Sequence, residues 1–394
     1  MSEYSYNTLA SFLKNWQSNT KYFDMLRKMA QLSKLFSISE TPYLDYRLAE
    51  NLFCRYYTAQ NDARACMAYD ARLSTLGIGI KTFILKGDAS FSQEKIAEFN
   101  KLKKQLDPLC GIELAKQIGL FRNERMQTAN DVYGVTETQY HIVGRSKGLL
   151  RVFNTPYEKV DIEHIHLIKD DDTSCSFDDE KNEYTFNKSK SVLLKRFYVP
   201  LTYKDVCVEM LKNPLELFER LFDNEENTSI TPKIIGGTDY VILPLYSIRS
   251  KQRDVAQGSG LNQFNAKGRP RHRYEVYIPI PATIHKAYPN FFPGRDEPFT
   301  LYLPDGKKLS AKVCQDGGKA LMSNPNKDLG EWLIGKVLKK KEGELVTRAD
   351  LDRLGFDSVC VENLHSIDDV GLKEYRISLS DTTKRYEDFR MEIE

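Results

Sequence analysis

The stretch from Tyr69 to Phe83, YDARLSTLGIGIKTF, places an acid and a lysine at a spacing suited to phosphodiester chemistry. Asp70 closes one predicted strand, and Lys81 lies inside the next, eleven residues later. In a hydrolytic site of this kind, two carboxylates hold Mg²⁺ beside a phosphate, while a lysine orients water and offsets developing charge. Because residues two apart in a strand face the same side, the second acid is expected at position 79. That position is Gly79.

A displaced acid must then replace the carboxylate that is missing at position 79. Glu94 lies thirteen residues beyond Lys81, where apolar spacing predicts the first turn of a helix, and Glu98 lies one turn further along. Glu94 is predicted to bind Mg²⁺ together with Asp70. An ordinary solvated carboxylate on a helix is the alternative interpretation of Glu94.

A further acid precedes the two predicted strands. In PYLDYRLAENLFCRYY, Glu50 shares one helical face with Tyr46, Phe53 and Tyr57. A carboxylate inside an aromatic stripe needs a partner if it is buried, and a catalytic metal or a water bound to one would serve. A partly exposed glutamate at the edge of the stripe is the alternative.

These features resemble the PD-(D/E)xK restriction endonucleases over about residues 41–106. The resemblance is carried by a helix with Glu50, a strand pair with Asp70 and Lys81, a following amphipathic helix and a mixed sheet. It implies a Mg²⁺-dependent nuclease in which Asp70, Lys81, Glu94 and Glu50 serve catalysis. Gly79 departs from the motif of that family.

Basic residues concentrate between positions 249 and 273, where Asp254 is the opposing acid. They are Arg249, Lys251, Arg253, Lys267, Arg269, Arg271 and Arg273. The same glycine-rich stretch contains the amides Asn262, Gln263 and Asn265. Asn, Gln and Arg make bidentate contacts with adenine and guanine edges, and Lys and Arg bind phosphate. The stretch therefore predicts a local polyanion site, with a solvated charged loop as the alternative.

The C-terminal part of the chain shows a second resemblance, which covers nearly all of Tyr240 to Leu364. The segments that carry it are LPLYS, SGLNQFNAKGRPR, EVYIPIP, FFPGRDEPFTLYLPDGKKL, LGEWL and VTRADLDRLGFDSVCV. They look like the pseudobarrel DNA-binding domain at the C-termini of some restriction endonucleases, which is related to the plant B-three-type domain. The resemblance implies two arms that grip the major groove of double-stranded DNA. It assigns the first arm to about residues 249–273 and the second to about residues 315–327, where the suitable residues are Gln315, Lys319, Ser323, Asn324, Asn326 and Lys327.

Hydrophobic patterning predicts how the chain is divided. Residues 1–222 are expected to form an α/β nuclease domain with a helical N-terminus and a mixed sheet. Within it, helices are predicted at residues 111–129, 205–211 and 214–222. Residues 223–233, DNEENTSITPK, are polar and are predicted to be a linker. Residues 234–394 contain short β-like segments separated by Gly, Pro and Asn, which predicts a mainly-β pseudobarrel domain.

Several other classes of function are disfavoured by the sequence. The seven cysteines lie far apart and form no CxxC pair, so neither a zinc site nor a disulfide framework is expected. No apolar run is long enough to cross a bilayer and no secretory signal is recognisable, so a cytoplasmic protein with no membrane partner is expected. No Walker A loop is present, so no nucleotide cofactor is expected.

Three of the histidines are alternative candidates for catalytic or metal-binding residues. His164 and His166 alternate in a predicted strand, but with no third ligand nearby, surface or hydrogen-bonded histidines are favoured over a metal site. His141 lacks the HxK companion of the phospholipase D-like nucleases, which accompany some relatives of the C-terminal domain.

The sequence thus predicts a type II restriction endonuclease that cleaves double-stranded DNA at a short specific sequence. A homodimer is expected because each nuclease site cuts one strand. The alternative is a non-catalytic sequence-specific DNA-binding protein with a degenerate nuclease domain, and Gly79 is the feature that favours it.

Overall fold

The computed structural model of the protein describes residues 6–62, 68–86, 90–217, 219, 239–248, 253–380 and 385–393. The chain divides into two compact units. The first unit comprises Met1–Ala63, Ala68–Asn123 and Val135–Lys233. The second comprises Arg64–Met67, Glu124–Gly134 and Ile234–Glu394. The predicted linker, residues 223–233, lies outside the described residues.

The N-terminal helices form where apolar residues recur at helical spacing. They are α1 (Leu9–Asn15), α2 (Thr20–Gln31), α3 (Tyr46–Tyr57), α4 (Lys103–Leu106) and α5 (Gly111–Tyr133). Asp45 caps α3 by accepting hydrogen bonds from the backbone N–H groups of Arg47 and Leu48. The predicted helix over residues 111–129 is confirmed and continues to Tyr133.

The strands of the first unit form two sheets. They are β1 (Gln60–Asn61), β2 (Ala71–Leu73), β3 (Leu76–Ile84), β4 (Phe91–Glu98), β5 (Glu137–Ser146), β6 (Leu149–Pro156), β7 (His166–Asp170), β8 (Ser174–Asp178), β9 (Glu183–Asn187), β10 (Val192–Tyr198) and β11 (Tyr203–Cys207). The first sheet has the order β1-β2-β3-β5-β6-β11 and is mixed, because β3 and β5 run parallel while the other neighbours are antiparallel. The second sheet, β4-β10-β9-β8-β7, is antiparallel throughout.

Two helices predicted in this unit begin as strands in the structure. The segment with Glu94 forms β4, which pairs with β10 along its length, from Phe91 opposite Tyr198 to Glu98 opposite Val192. Residues 205–207 belong to β11, where Val206 is buried and pairs with Leu150. In both places the pairing of strands, a long-range effect, overrides the local helical spacing.

The apolar sides of α1, α2 and α3 share one core with the mixed sheet. Residues of β2, β3, β5, β6 and β11 contribute to this core, among them Ile78, Ile80 and Val143. A separate core joins α4 and α5 to the second sheet through residues such as Leu106, Ile118 and Phe177. The mixed sheet therefore supports β3, the strand with Lys81, between buried neighbours.

The second unit is built around one seven-stranded sheet. Its strands are β12 (Tyr240–Pro244), β13 (Ile278–Pro279), β14 (Pro298–Tyr302), β15 (Lys308–Cys314), β16 (Ala320–Ser323), β17 (Ser358–Ile367) and β18 (Lys373–Ser380). Their order is β12-β17-β18-β14-β15-β16-β13, and the end strands β12 and β13 approach each other, so the sheet is nearly closed. The barrel-like β architecture predicted for this region is confirmed.

Short helices accompany this sheet. They are α6 (Ala282–Ala287), α7 (Asp328–Gly330), which continues as a π-helix over Glu331–Val337, α8 (Arg348–Leu354) and α9 (Tyr386–Ile393). Residues 124–134, the C-terminal part of α5, also belong to this unit. Here the backbone N–H of Leu379 donates to the Tyr133 hydroxyl at 3.4 Å. The second unit resumes at Ile234, and the domain boundaries proposed from the sequence stay a prediction.

Among the described helices, none combines the length and the apolar character that a bilayer crossing requires.

Candidate functional site

Asp70 is hydrogen-bonded to β3 through both its backbone and its side chain. Its backbone N–H donates to the Ile78 carbonyl at 2.9 Å, and its Oδ2 accepts a hydrogen bond from the Ile80 N–H at 2.7 Å. Asp70 thus lies just before β2, not at the end of a strand as predicted. Its half-buried carboxylate is held beside Ile80, the residue that precedes Lys81. The structure therefore brings the acid and the lysine of the sequence motif to one place.

Gly79 has a packing reason for lacking a side chain. A Cβ atom at position 79 would lie 2.8 Å from Cδ1 of Tyr140 and 2.9 Å from Cε1 of Tyr157. These two rings stack on each other with centroids 3.9 Å apart and planes 10° apart. No carboxylate fits at position 79 unless this stack moves. A second acid for this site must therefore come from another element.

Glu50 is the buried acid of the site. It lies on α3 with 4% of its surface exposed, and Arg47 Nη1 lies 3.2 Å from its Oε2. Burial, and after it the charge of Asp70, raises the pKa of Glu50 to about 7, while Arg47 and Lys81 act in the opposite direction. The interpretation of Glu50 as partly exposed is wrong. Its carboxyl group interacts electrostatically with both Asp70 and Lys81.

Glu94 approaches the same lysine from β4. The Ser92 hydroxyl donates to its Oε1 at 2.6 Å, and the side chain is half-buried. Burial raises the pKa of Glu94, while the Ser92 hydrogen bond and the charges of Lys81, Lys86 and Arg145 lower it. Glu94 is thus within electrostatic range of Lys81, although a strand and not the predicted helix carries it. Its role as a metal ligand together with Asp70 stays a prediction.

Arg145 is a residue of this region that the sequence analysis missed. It lies on β5 opposite Ile84 of the parallel strand β3. Its Nη1 donates to the Pro42 carbonyl at 3.2 Å, and its guanidinium lies 5.8 Å from the centroid of the Tyr43 ring. The sequence offered one signal, a basic residue near the end of a predicted strand. The parallel pairing of that strand with β3 is tertiary, and the Arg145 charge acts on the Glu94 carboxyl group.

The acidic side chains near Lys81 are candidate ligands for a metal ion. In residues 6–62, 68–86, 90–217 and the remaining described parts, no group of three or more His, Cys, Asp or Glu side chains is arranged to hold a metal ion. Glu50 and Asp70 nevertheless form a pair of oxygen donors whose charges repel each other. Mg²⁺ is commonly bound by one or two carboxylates while it keeps several waters and takes further oxygens from substrate phosphates. The pair fits that mode of binding.

His141 is buried and structural. Its Nε2 and the Tyr22 hydroxyl are 2.9 Å apart, and its Nδ1 lies 2.8 Å from the Asn154 Oδ1. Five aromatic rings surround the imidazole: Phe12, Trp16, Tyr22, Phe53 and Tyr57. Burial lowers the pKa of His141 to about 4. This neutral, enclosed histidine is not placed to attack a phosphate.

His164 and His166 do not share a strand. His164 ends the 3₁₀ helix Ile162–His164, whereas His166 begins β7. Both are exposed, and their Nδ1 atoms lie 3.0 Å and 3.4 Å from carboxylate oxygens of Asp161 and Asp178. The structure agrees with hydrogen-bonded surface histidines, which the sequence analysis favoured over a metal site.

Several side chains of the predicted first arm are hydrogen-bonded or ion-paired to other residues of the second unit. Arg249 and Lys251 lie outside the described residues. Asn262 is fully buried; its Nδ2 donates to the Val346 and Ala256 carbonyls at 2.8 and 3.0 Å, and its Oδ1 accepts from the Val346 N–H at 2.8 Å. Since this amide is saturated inside the protein, the predicted base contact of Asn262 is corrected to an anchoring role.

Two arginines of the first arm also have partners within the loop. Arg269 and Arg271 both contact Glu275, a carboxylate with 2% of its surface exposed. The predicted arm residues that are exposed or half-buried at the surface are Arg253, Gln263, Asn265, Lys267, Arg269, Arg271 and Arg273. Arg253 lies 3.4 Å from Glu387, and the Asn265 Nδ2 donates to the Gln257 carbonyl at 2.9 Å.

The predicted second arm also contains one buried residue, Ser323, and several residues at the surface. Ser323 is buried at the end of β16; its Oγ donates to the Pro325 carbonyl at 2.8 Å and accepts from the Leu329 N–H at 2.9 Å. Its predicted DNA contact is corrected to a structural role at the start of α7. Gln315, Lys319, Asn324, Asn326 and Lys327 are exposed or half-buried, and Lys327 pairs with Glu331 at 2.8 Å.

A cavity of about 560 Å³ adjoins segments of both predicted arms. Residues 245–248, 255–256, 259–261, 277, 279–282, 316–317 and 319 line it. Its lining is mainly apolar, with Lys319 and Asp316 from the second arm and Ser259 from the first. The two arms therefore border one concave surface of the second unit.

Comparison with known proteins identifies the second unit. Residues 241–365 match the family described as the NgoFVII C-terminal B3-like DNA-binding domain. A search of curated proteins finds no match to the chain. The family match agrees with the nearly closed sheet and supports sequence-specific binding of double-stranded DNA in a restriction-related protein. The match covers no residue of the first unit, and Glu50, Asp70 and Lys81 therefore lie outside it.

Proposed function

We propose that the protein is a type II restriction endonuclease whose second unit binds a specific DNA sequence and whose first unit hydrolyses phosphodiester bonds with Mg²⁺. The observation that carries the proposal is the Asp70 carboxylate, which the Ile80 backbone N–H holds next to the position of Lys81, in a chain that also contains a restriction-related DNA-binding domain. The buried carboxyl group of Glu50 lies within electrostatic range of both side chains. A basic side chain next to two carboxylates, one of them buried, is the residue set that metal-assisted hydrolysis needs.

Each residue of the group has a distinct role in the proposed reaction. Glu50 and Asp70 would hold Mg²⁺, which when bound supplies Lewis acidity and a more acidic water. Lys81 would orient the attacking water and offset negative charge that develops on the phosphate. Glu94, the metal ligand predicted with Asp70 from the sequence, remains the alternative second ligand because it also lies close to Lys81.

The second unit would supply the specificity. Base edges in the major groove are read by amide and guanidinium side chains, and phosphates are bound by lysine and arginine. Among the described arm residues, Gln263 and Arg269 suit the first task and Lys267 and Lys319 suit the second. Because one nuclease site cuts one strand, cleavage of both strands by a homodimer forms part of the proposal.

A cleavage assay on plasmid and phage DNA tests the function directly. The chain is incubated with each DNA in the presence of Mg²⁺ or of EDTA, with an Asp70→Asn variant as the control for contaminating nuclease. Discrete fragments from the wild type with Mg²⁺, and from neither control, are expected. Binding of a selected DNA sequence without cleavage would instead support the non-catalytic DNA-binding protein, the function that Gly79 favoured.

A further inference from the structure

Glu275 holds the guanidinium group of Arg269 by two hydrogen bonds. Arg269 Nη2 donates to Oε1 at 2.5 Å, and Nη1 donates to Oε2 at 3.1 Å. The carboxylate of Glu275 is buried, whereas 52% of the Arg269 side chain is exposed. A bidentate pair fixes the plane of the guanidinium group as well as its position. The edge of the guanidinium group formed by Nη1 and Nη2 is therefore held by Glu275, while about half of the side chain remains exposed to solvent.

Arg271 ties the preceding loop to the same carboxylate. Its Nε lies 3.4 Å from Glu275 Oε1. Its Nη1 donates to the carbonyls of Ala266, Lys267 and Arg269 at 2.7, 3.3 and 3.0 Å. Only 11% of the Arg271 side chain is exposed, so its hydrogen bonds to the loop are made on the buried side of the loop. Through Arg271, Glu275 is thus linked to the backbone carbonyls of Lys267 and Arg269.

Both ends of this loop are anchored in the second unit. Asn262 is bonded to Val346 at the N-terminal end, as described above. At the C-terminal end, a Cβ atom on Gly330 would lie 1.8 Å from the Tyr274 carbonyl oxygen, so the backbone beside Glu275 packs directly on α7. The backbone on both sides of the carboxylate is consequently anchored to the body of the domain.

We propose that Glu275 is a positioning residue for sequence recognition, holding Arg269 in the orientation in which the guanidinium group makes a bidentate contact with a guanine. The proposal rests on the proposed function of the second unit as a sequence reader. A buried carboxylate that serves only stability would change the binding of all sequences alike. One that only adds negative charge near DNA would weaken binding to all sequences alike. A positioning role instead alters discrimination at one base pair.

The test compares Glu275→Gln with Glu362→Gln in the full chain. Glu362, on β17, is the control because its carboxylate also pairs with an arginine, Arg376, at 3.5 Å, but with 47% of the glutamate side chain exposed. The preferred sequence is selected from randomised DNA in EDTA, and single-base variants then compete for binding. Glu275→Gln is expected to lower discrimination at one G·C pair about tenfold, within the range for a bidentate base contact. Glu362→Gln should leave discrimination at every position unchanged.

Arg269→Lys provides an independent check, because lysine keeps the charge and lacks the planar fork. It should lose discrimination at the same base pair as Glu275→Gln. Loss at different base pairs, or a uniform change across all variants with either substitution, would overturn the proposal.

A measurement without DNA separates this proposal from the proposed function. By its specificity, trypsin can cleave this loop after Lys267, Arg271 and Arg273, while Pro270 protects the bond after Arg269. Glu275→Gln should increase the rate of cleavage after Arg271 several-fold, because the loop loses its buried anchor. Equal rates for wild type and variant would overturn the role of Glu275. If the wild-type chain selects no DNA sequence, both the proposed reader function and the base contact of Arg269 fail, while the trypsin result still decides whether Glu275 holds the loop.

Discussion

The Oδ2 oxygen of Asp70 accepts a hydrogen bond from the Ile80 backbone N–H at 2.7 Å. The carboxylate that is proposed to bind Mg²⁺ is therefore also an acceptor for the strand that carries Lys81. An amide at position 70 keeps an oxygen acceptor for this N–H and removes the charge. Asp70→Asn is for this reason a cleaner test of catalysis than Asp70→Ala.

Asp70→Asn and Lys81→Met should each reduce Mg²⁺-dependent cleavage by at least about 10²-fold, comparable with the loss of one electrostatic contributor to a transition state. Binding of the specific sequence in EDTA should change less than about twofold, since the reader is a separate unit. Plasmid cleavage rates and competition binding measure the two effects. Lys95→Met, at an exposed lysine of β4, is the control. Normal cleavage by both active-site variants would refute the assignment.

Glu94 and Glu98 lie on the same strand, and their substitutions distinguish a site residue from a surface residue. Glu94 is close to Lys81, whereas Glu98 pairs with Lys95 at 3.1 Å. Cleavage should fall more in Glu94→Gln than in Glu98→Gln, and the fall should be partly offset by raising the Mg²⁺ concentration if Glu94 contributes to metal binding. Equal activity of the two variants over a Mg²⁺ titration would show that Glu94 has no part in the site.

Gly79→Ala tests the packing reason for the missing acid. Its Cβ would lie 2.8 Å from the Tyr140 ring, so either the strand or the stacked rings must move. We expect the first unit to lose about 1–3 kcal/mol of stability, as in other overpacked cores. Denaturant unfolding measures the loss. Gly258→Ala is the comparison, because its Cβ would have 3.7 Å to the nearest atom. A Gly79→Ala variant as stable as wild type would show that the rings yield without cost.

His141 makes stability depend on pH below neutrality. Its pKa is about 4 in the folded chain and 6.5 without burial. Between these values the unfolded chain binds the proton and the folded chain does not, so stability is present above pH 6.5 and is lost as pH falls towards 4. The expected loss from this residue is roughly 3 kcal/mol. The difference in unfolding free energy between pH 7 and pH 4.5 should be smaller in His141→Gln than in wild type; equal differences would contradict the assignment.

Lys267 and Gln263 should respond differently to substitution by alanine. Lys267 is exposed and suits a phosphate, so its loss should weaken all sequences alike and reduce the salt slope by about one. Gln263 suits a base edge, so its loss should cost about 1–3 kcal/mol at one base pair. Competition binding at several salt concentrations measures both effects. A uniform loss from Gln263→Ala would assign base reading to other residues.

Some properties of the protein follow from local sequence. The apolar spacing of α2 and α3 predicts helices because each presents one apolar face to a core. The segments of β5 and β6 were recognisable as strands from their own sequence. The segments that resemble the pseudobarrel domain lie almost wholly within the matched residues 241–365. Asp70 and Lys81 were recognisable because their separation is short and depends on two adjacent strands.

Other properties depended on contacts between distant parts of the chain. Glu94 is on a strand because β10, about a hundred residues later, pairs with it. Gly79 is required by Tyr140 and Tyr157, which no local pattern connects with it. Asn262 carries a side chain suited to adenine, yet Val346 takes up its amide inside the domain. Residue type determined which chemistry each side chain could perform, whereas burial and long-range pairing, which only the tertiary structure decides, determined which side chains remain free to perform it.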